Sequence, residues 1–432
     1  MRVLGIHDAA QTGFGRVGRS LSRLFLNAGH EVRIIGINHR GRDGEIAAML
    51  QRGAAIADVK ARLDEMEADP LEKVIIPAFA GGDGQGWSLT GHAVHGRINQ
   101  VGWLGWKPEV VLCVADPRAM LNRLANDGGS LSTLPVFNYV PIEGVALPPA
   151  WQHIWEKVHP VAMTDMGRAE LQTLLGRTVP VAYHGVSADF YPVSVTRPGF
   201  RKGQPITSKD AAKQAFDMAG RTVLLRTDRF AKRKDYPGLL RSMAPILQRH
   251  PEVLLVLHCA IEDDGGLLIE HLSRMSGAFH QGNSWAHPQV RITQAHDTFR
   301  GLSDADLNVL YNAADVYVSP TMAEGFGLTL VEAAACGVPV VTTDYAAGPE
   351  VVGPGAMLVP IRDRWTNEYA LDWGLVDEGK FTEATEYLIE HPKRRRELGD
   401  AGRRHVARYT WEACSDVFLG LFENTVAQRL AT

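Results

Sequence analysis

Two glutamates, Glu324 and Glu332, flank a glycine turn and the start of a predicted helix. A carboxylate can accept hydrogen bonds from paired hydroxyl groups, such as those of a sugar or a ribose. Glycine in the turn Gly325-Phe326-Gly327 lets a ligand approach the backbone closely. These residues therefore predict a site for a ligand that carries paired hydroxyls.

The elements around this turn have the order of a phosphate-binding site. An apolar strand, 316–318, precedes the turn, and a helix is predicted from about Leu328 to Cys336. The first N–H groups of a helix lack internal partners and carry partial positive charge, so they can bind phosphate. Phosphate and hydroxyl binding together indicate a sugar nucleotide. The alternative is that Glu324 caps the helix and Glu332 is a solvated helix residue.

This stretch resembles the donor site of the family 4 retaining glycosyltransferases, which carry two glutamates separated by seven residues around a GFG turn. Glu324 and Glu332 have that spacing, and the following segment VVTTDYAAGPEVV also resembles the family. The resemblance is specific over about 222–360 and looser over 1–40 and 134–193.

The resemblance implies the α/β fold called GT-B, in which two Rossmann-like domains face each other across a cleft. We expect an N-terminal, acceptor-side domain over residues 1–193 and a C-terminal domain over 194–410 that binds the sugar nucleotide. The polar segment 194–207 is the expected hinge, because it contains two prolines and two glycines. A last amphipathic helix, about 411–429, would return residues 411–432 to the first domain.

The N-terminal segment has the β-α-β pattern of a doubly wound domain. A strand over 2–6 is followed by a glycine loop, and a helix is predicted to begin near Arg16. The resembled family has a glycine loop facing the cleft here, so Gly13, Gly15 and Arg16 are candidates to line the site. These glycines could instead serve only tight packing.

Basic residues follow the first strand of the second half. In the resembled family an arginine after this strand and a lysine five residues later neutralise the donor diphosphate, and Arg229 and Lys234 have that spacing. Glycine usually precedes that arginine, whereas this chain has Asp228. Fixed cations of this kind stabilise a leaving group without a metal. Lys232 and Arg233 are interpreted as solvated surface residues.

Two acidic residues stand at the ends of buried strands in the first half. Asp116 ends the strand 108–116, and Glu143 lies near the end of 134–144. Strand C-termini face the crevice in open α/β sheets, so both are site candidates, and Glu143 is preferred as a catalytic residue. Each could instead cap the next helix. His184 either faces the cleft or packs in the core.

The resemblance implies one role for each matched group. Glu324 would hold the donor sugar, Glu332 the ribose hydroxyls, and Arg229 and Lys234 the diphosphate. The base would contact the backbone at Arg291 and Ile292. The complete predicted donor-binding set is Gly13, Gly15, Arg16, Arg229, Lys234, Arg291, Ile292, Glu324, Gly325, Phe326, Gly327, Leu328, Thr329 and Glu332.

The predicted reaction is retaining transfer of a sugar from a nucleoside diphosphate sugar to a hydroxyl acceptor. The resemblance implies a front-face mechanism, in which the leaving phosphate helps to deprotonate the acceptor. A UDP-sugar is favoured, with a GDP-sugar second, and no cofactor or metal is required. Asp263-Asp264 is interpreted as a solvated loop pair. The acceptor stays open among glycan, lipid, protein, metabolite and modified nucleic-acid base.

Other functions are compatible with the same cleft. A GT-B epimerase would release nucleotide without an added acceptor, and a phosphorylase would need a cofactor lysine or a phosphate site. A non-catalytic sugar-nucleotide-binding protein would bind the donor without turnover. An NAD-dependent enzyme is disfavoured, because no acidic residue stands about 20 positions after the first glycine loop.

The composition is that of a globular protein with two or more domains. The chain has 432 residues, 45% of them hydrophobic and 22% charged, with a net charge of −4. This bulk charge does not indicate nucleic-acid or membrane binding. The four cysteines have no metal-ligand spacing, and no apolar run reaches the ~18–20 residues of a membrane span. We expect buried thiols, no signal peptide and a cytoplasmic protein of unknown oligomeric state.

One further segment, 81–108, is rich in glycine, histidine and tryptophan. Aromatic faces stack on sugars and bases, so it is interpreted either as an acceptor-binding loop or as a surface loop.

Overall fold

A computed structural model describes the chain except for residues 10–11, 40, 52–54, 79–105, 121–132, 202, 282–283, 295–301 and 432. Most of the segment 81–108 therefore lies outside the described residues.

Short strands alternate with helices through most of the described chain. The strands are β1 (Arg2–Asp8), β2 (Glu31–Ile37), β3 (Ile75–Ala78), β4 (Val110–Val114), β5 (Val136–Val140), β6 (His159–Ala162), β7 (Gly199–Arg201), β8 (Gln204–Ile206), β9 (Thr222–Arg226), β10 (Val253–Cys259), β11 (Glu262–Asp263), β12 (Gly266–Leu267), β13 (Phe279–Gln281), β14 (Ser284–Ala286), β15 (Val290–Gln294), β16 (Val316–Ser319), β17 (Val340–Thr343), β18 (Ala356–Val359), β19 (Ile361–Thr366) and β20 (Asp372–Val376). The helices are α1 (Gly13–Asn27), α2 (Gly41–Gln51), α3 (Ile56–Ala68), α4 (Asp165–Leu175), α5 (Lys209–Ala215), α6 (Tyr236–Arg249), α7 (Leu268–Leu272), α8 (Asp304–Ala313), α9 (Leu328–Ala335), α10 (Gly348–Val352), α11 (Glu378–Glu390), α12 (Pro392–Val406) and α13 (Trp411–Ala431).

The first half of the chain forms a parallel sheet in the order β3-β2-β1-β4-β5-β6. Strands β4 and β5 are buried along their whole length, as expected for parallel strands that are covered on both faces. The strand order reverses between β1 and β4, and ligands of such sheets bind beyond the carboxyl ends of the strands at that point.

The second half repeats this topology in the order β15-β10-β9-β16-β17-β18, again with parallel pairing. The reversal now lies between β9 and β16. The predicted α/β architecture with two Rossmann-like sheets is confirmed. The predicted cations follow β9, and the predicted glutamate turn follows β16, so both segments begin at the same edge of the same sheet.

A hairpin of β19 and β20 extends from the second half to the first and was not predicted. The backbone N–H of Asp372 donates to the carbonyl of Val145 (3.0 Å), and the N–H of Val145 donates to the carbonyl of Asp372 (3.2 Å). The indole N–H of Trp373 donates to the carbonyl of Glu143 (2.8 Å). The hairpin therefore fixes the segment that follows β5 against the second half.

The last helix, α13, packs against the core of the first half. The ring of Phe422 lies 5.7 Å from that of Phe25 in α1 and 5.0 Å from that of Phe137 in β5. Phe418 packs edge-on against Tyr139, at 4.9 Å between ring centres. Both phenylalanines are fully buried, so this helix completes a hydrophobic core more than 270 residues away in sequence.

Two further findings concern the environment of the chain. Within the residues described, we find no helix that is both long and apolar enough to cross a membrane. All four cysteines are buried thiols.

Replacing Phe422 with alanine should lower the free energy of unfolding by about 3–5 kcal/mol, because it leaves a cavity between α1, β5 and α13. Urea denaturation followed by circular dichroism measures the change. The control is Leu430→Ala on the same helix, where the side chain is 85% exposed and little change is expected. Equal midpoints for the two variants would show that α13 does not stabilise the first half.

Candidate functional site

The candidate site lies where the segments after β9 and β16 meet at the N-terminus of α9. Gly327 occupies the position before the helix in a left-handed conformation (φ 95°), which glycine adopts without strain. Because glycine has no side chain with which to cap the helix, the first N–H groups of α9 are left for other partners. The strand, glycine turn and helix that the sequence predicted are therefore present in this order.

The predicted residues Lys234 and Glu324 are in direct contact. The Lys234 ammonium lies 2.6 Å from Glu324 Oε1 and 2.7 Å from Asp228 Oδ1. Asp228 also accepts a hydrogen bond from the hydroxyl of Thr329 (3.2 Å) and pairs with Arg226 at 3.0 Å. The ammonium is thus held between two carboxylates beside the first turn of α9.

Arg233 also contacts these residues, so its interpretation as a solvated surface residue is wrong. We call the connected set of charged residues the cluster at α9; its members are Glu143, Arg226, Asp228, Arg233, Lys234 and Glu324. The Arg233 guanidinium donates to Glu324 Oε2 (2.9 Å) and lies 2.6 Å from Glu143 Oε1. Glu143 follows β5 in the first half, so Arg233 connects carboxylates of the two halves. Its neighbour Lys232 is exposed, as predicted, and reaches Glu368 at 3.5 Å.

Arg229 lies apart from the cluster in this structure. Its guanidinium makes two bonds to the Asp263 carboxylate, at 2.6 and 3.0 Å, and its side chain is 56% exposed. The Asp263 side chain is only 7% exposed, so the interpretation of Asp263 as a solvated loop residue is wrong. The structure brings Lys234 to the glutamate turn but leaves Arg229 on this separate pair.

Glu332 is buried one turn into α9 and is held from both halves. Its carboxylate accepts hydrogen bonds from the hydroxyl of Tyr311 (2.9 Å) and from Arg16 of α1. Arg16 also donates to Asp304 at 2.7 Å. Arg16 and Glu332, which were predicted separately as donor-site residues, are therefore in contact across the cleft.

The glycines of the first crossover lie in a helix, and not in the loop that was predicted to reach Arg16. The helix α1 already begins at Gly13, because the Thr12 side chain caps it by accepting from the N–H of Gly15 (3.0 Å). A Cβ placed on Gly13 would lie 3.8 Å from the Leu328 side chain, so the first turns of α1 and α9 approach each other.

The turn 325–327 is in close contact with the first half. A Cβ placed on Gly325 would lie 2.5 Å from the Cβ of Pro141, so this position has room only for glycine. Phe326 packs against His184, with 4.5 Å between ring centres. Nδ1 of His184 forms a hydrogen bond with the Tyr139 hydroxyl (2.7 Å). Burial lowers the pKa of His184 to about 3. His184 is therefore a neutral, packed histidine that supports the turn.

The remaining predicted residues lie outside this cluster. Asp116 accepts a hydrogen bond from the N–H of Ala119 (2.9 Å), in keeping with the helix-cap alternative. Arg291 and Ile292 are part of β15, whose backbone pairs with β10 on one side. The Arg291 side chain donates to the carbonyl of Asp217 (3.1 Å) and so points to α5.

The partners of each carboxylate set its charge. Burial opposes ionisation of Glu324, but Lys234 and Arg233 outweigh it and hold the pKa of Glu324 below its usual range. The same balance, with Lys234 and Arg226, places the pKa of Asp228 well below its usual range. Burial raises the pKa of Glu143 despite Arg233, and it raises the pKa of Glu332 to about 7. Glu324 and Asp228 are thus ionised at neutral pH.

One group of the described residues has a spacing that could hold a metal ion, namely His250, Glu386 and Glu390. It lies at the C-terminal ends of α6 and α11, and Arg249 already pairs with Glu386 at 2.7 Å. None of these residues belongs to the cluster at α9.

Comparison with known proteins gives a match to the family model for group 1 glycosyl transferases over residues 221–371. The MMP alpha-(1->4)-mannosyltransferase of Mycolicibacterium hassiacum is 34% identical over 144 residues, which cover 32% of each chain. D-inositol 3-phosphate glycosyltransferase 2 of Catenulispora acidiphila is 27% identical over 274 residues, 62% of this chain and 56% of that protein. The chain thus spans 32% to 56% of the length of these curated relatives.

Solved structures match over nearly the whole chain. The sucrose-phosphate synthase of Thermosynechococcus elongatus covers 99% of this chain and 100% of its own, with a TM-score of 0.68 and 17% identity. HepE from Anabaena, in complex with UDP and glucose, covers 100% of this chain and 99% of its own, with a TM-score of 0.63 and 14% identity. The predicted GT-B fold is therefore confirmed.

The stability of the Glu332→Gln variant should rise relative to that of the wild type between about pH 4.5 and pH 7, because only the wild type loses stability over this range. The pKa of Glu332 is about 7 in the folded protein and near 4.5 in the unfolded chain, so folding retains a proton in this window. The wild type therefore loses about 3 kcal/mol of stability across it, and the glutamine variant does not. Melting temperatures at a series of pH values measure the difference.

The control for this titration is Glu324→Gln. Lys234 and Arg233 hold the pKa of Glu324 below its usual range, so its difference from the wild type should stay constant over the same window. Parallel pH profiles of the wild type and the Glu332 variant would contradict the assignment.

Proposed function

We propose that this GT-B chain, whose residues 221–371 match the group 1 glycosyl transferases, moves a sugar from a nucleoside diphosphate sugar to a hydroxyl acceptor with retention of configuration. One observation carries the proposal. Lys234 and Glu324 meet at the N-terminus of α9, and Glu332 lies one turn further along the same helix. Cation, helix N–H groups and two carboxylates are thus in reach of one ligand that has phosphates and paired hydroxyls.

The diphosphate would bind to Lys234 and to the N–H groups at residues 326–329. These donors stabilise the negative charge that develops on the leaving phosphate, and they are fixed before the reaction begins. Arg229 is proposed as a second cation. It lies on the strand-to-helix segment that also carries Lys234, and it would exchange the carboxylate of Asp263 for the diphosphate.

The two glutamates would hold the hydroxyl groups of the donor. Glu324 is ionised and faces Lys234, so it is suited to accept hydrogen bonds from the transferred sugar. Glu332 would accept from the ribose after release of Arg16. In a front-face reaction the leaving phosphate takes the acceptor proton. Glu143, held against Glu324 by Arg233, would orient the acceptor from the first half.

A UDP-sugar is the favoured donor. HepE, which shares the fold, has been solved with UDP and with UDP-glucose. The base would contact the backbone of β15 at Arg291 and Ile292. The acceptor belongs to one of the hydroxyl classes named above, and neither cofactor nor metal enters the proposed reaction. The four buried thiols favour the cytoplasm as the location of the protein.

UDP should raise the melting temperature of the wild type, and the Lys234→Ala variant should lose most of this effect. A ligand that binds only the folded state stabilises it by about 2.7 kcal/mol at a hundred times its dissociation constant. The change in melting temperature is measured in a thermal-shift panel of UDP, GDP, ADP and TDP. The matched control is Lys232→Ala, two residues away and exposed, which should respond like the wild type.

Two outcomes would count against the proposal. If no nucleotide stabilises the wild type, the chain is not a sugar-nucleotide enzyme. If UDP stabilises the Lys234 variant as much as the wild type, a nucleotide binds but its phosphates do not contact this lysine. The single variant Arg229→Ala then tests whether the arginine on Asp263 reaches the ligand.

A further inference from the structure

Asp228 is the one acidic residue of the cluster to which the proposed reaction gives no role. Its side chain is 6% exposed. One carboxylate oxygen lies 2.7 Å from the Lys234 ammonium and 3.2 Å from the Thr329 hydroxyl, and the other lies 3.0 Å from Arg226. Thr329 is the second residue of α9, so this carboxylate contacts both groups where the proposed diphosphate would bind.

The cations of the cluster at α9 are already paired with carboxylates without a ligand. The cluster contains the three cations Arg226, Arg233 and Lys234 and the three carboxylates Glu143, Asp228 and Glu324, and each cation is paired with at least one of these carboxylates. Lys234 itself is shared between two of them. A diphosphate that enters this cluster therefore meets cations whose charge is already balanced, and like charges placed side by side oppose binding.

We propose that Asp228 is a built-in counter-anion that competes with the donor diphosphate for Lys234 and for the first turn of α9. This inference rests on the proposed function and names a residue that sets the strength of nucleotide binding. Asp228 weakens binding of the donor diphosphate. It weakens binding of the nucleoside diphosphate that remains after transfer to the same extent. Release of that product is thereby faster than it would be from an unopposed lysine.

Several of the contacts that position the cations do not involve Asp228. Lys234 keeps its 2.6 Å contact with Glu324, and Arg226 keeps hydrogen bonds to the carbonyls of Lys234 (3.0 Å) and Val318 (3.4 Å). Asparagine has the shape of aspartate, and its amide oxygen can still accept from Thr329 and Lys234. The substitution Asp228→Asn therefore removes a charge and retains an acceptor.

The test is the affinity of UDP for the purified full chain, measured by calorimetry. Asp228→Asn should bind UDP about tenfold more tightly than the wild type. If Asp228 served only to position Lys234, the same variant would bind UDP more weakly. Equal or weaker binding therefore overturns the inference.

A control variant separates this effect from the general loss of a buried ion pair. Asp315 pairs with Lys209 and Lys213 at 3.3 and 2.7 Å and stands before β16, at the strand end opposite to the site. Asp315→Asn should leave the UDP affinity unchanged. A similar gain in UDP affinity in both variants would show that the gain does not arise from the charge at Asp228.

A double variant keeps the inference testable if Asp228→Asn does not fold. Asp228→Asn with Lys234→Gln removes one negative and one positive charge, so the net charge of the cluster is unchanged. It should bind UDP more tightly than Lys234→Gln alone, because the repulsion between Asp228 and the diphosphate is absent. Binding no tighter than that of Lys234→Gln alone overturns the inference. Absence of UDP binding in every variant and in the wild type overturns the proposed donor itself.

Discussion

The pairing of buried and partly buried charges across the two halves is the constraint on which this cleft depends. A charge that is removed from water is costly unless a partner of opposite sign lies close by. Arg233 meets this requirement on both sides, because it binds Glu143 of the first half and Glu324 of the second. Any movement that separates the halves must break the pair of Arg233 and Glu143 and expose both charged groups to water.

Other contacts across the cleft have the same character. Arg16 of α1 holds Glu332 of α9. The Glu350 carboxylate accepts hydrogen bonds from the N–H groups of Asp165 (2.7 Å) and Met166 (3.0 Å), so a side chain of one half caps a helix of the other. These polar contacts can be exchanged for contacts with a ligand or with water, unlike a packed apolar interface. The cleft is therefore held closed by interactions that a charged, hydroxyl-rich ligand could replace.

The sequence predicted the sheets and the glutamate turn because both have strong local patterns. Runs of apolar residues identify buried parallel strands, and glycine marks the one turn where Pro141 leaves no room for a side chain. The sequence analysis assigned Lys234 and Glu324 to one donor site, and the structure brings them into contact because their segments begin on the neighbouring strands β9 and β16. These are the features that depend on strand order and turn geometry alone.

The errors come from features that only the tertiary structure decides. A run of three basic residues has no periodicity that tells which one is buried, and Arg233 was assigned to the surface for that reason. The start of α1 depends on the hydroxyl of Thr12, which caps the helix so that it begins at Gly13, three residues before Arg16. The hairpin of β19 and β20 was missed because β19 is exposed along most of its length and shows no alternation of apolar residues.

The two glutamates of the turn show how far spacing alone can define a site. Both are buried on or beside the same helix, and their residue type is the same. Glu324 has two cations against its carboxylate and stays ionised, whereas Glu332 has one arginine and a tyrosine, so burial brings its pKa to about 7. At neutral pH the first can only accept hydrogen bonds, while the second can also donate one when it is protonated. The spacing determines where the two carboxyl groups lie, and their neighbours from both halves determine what each can do.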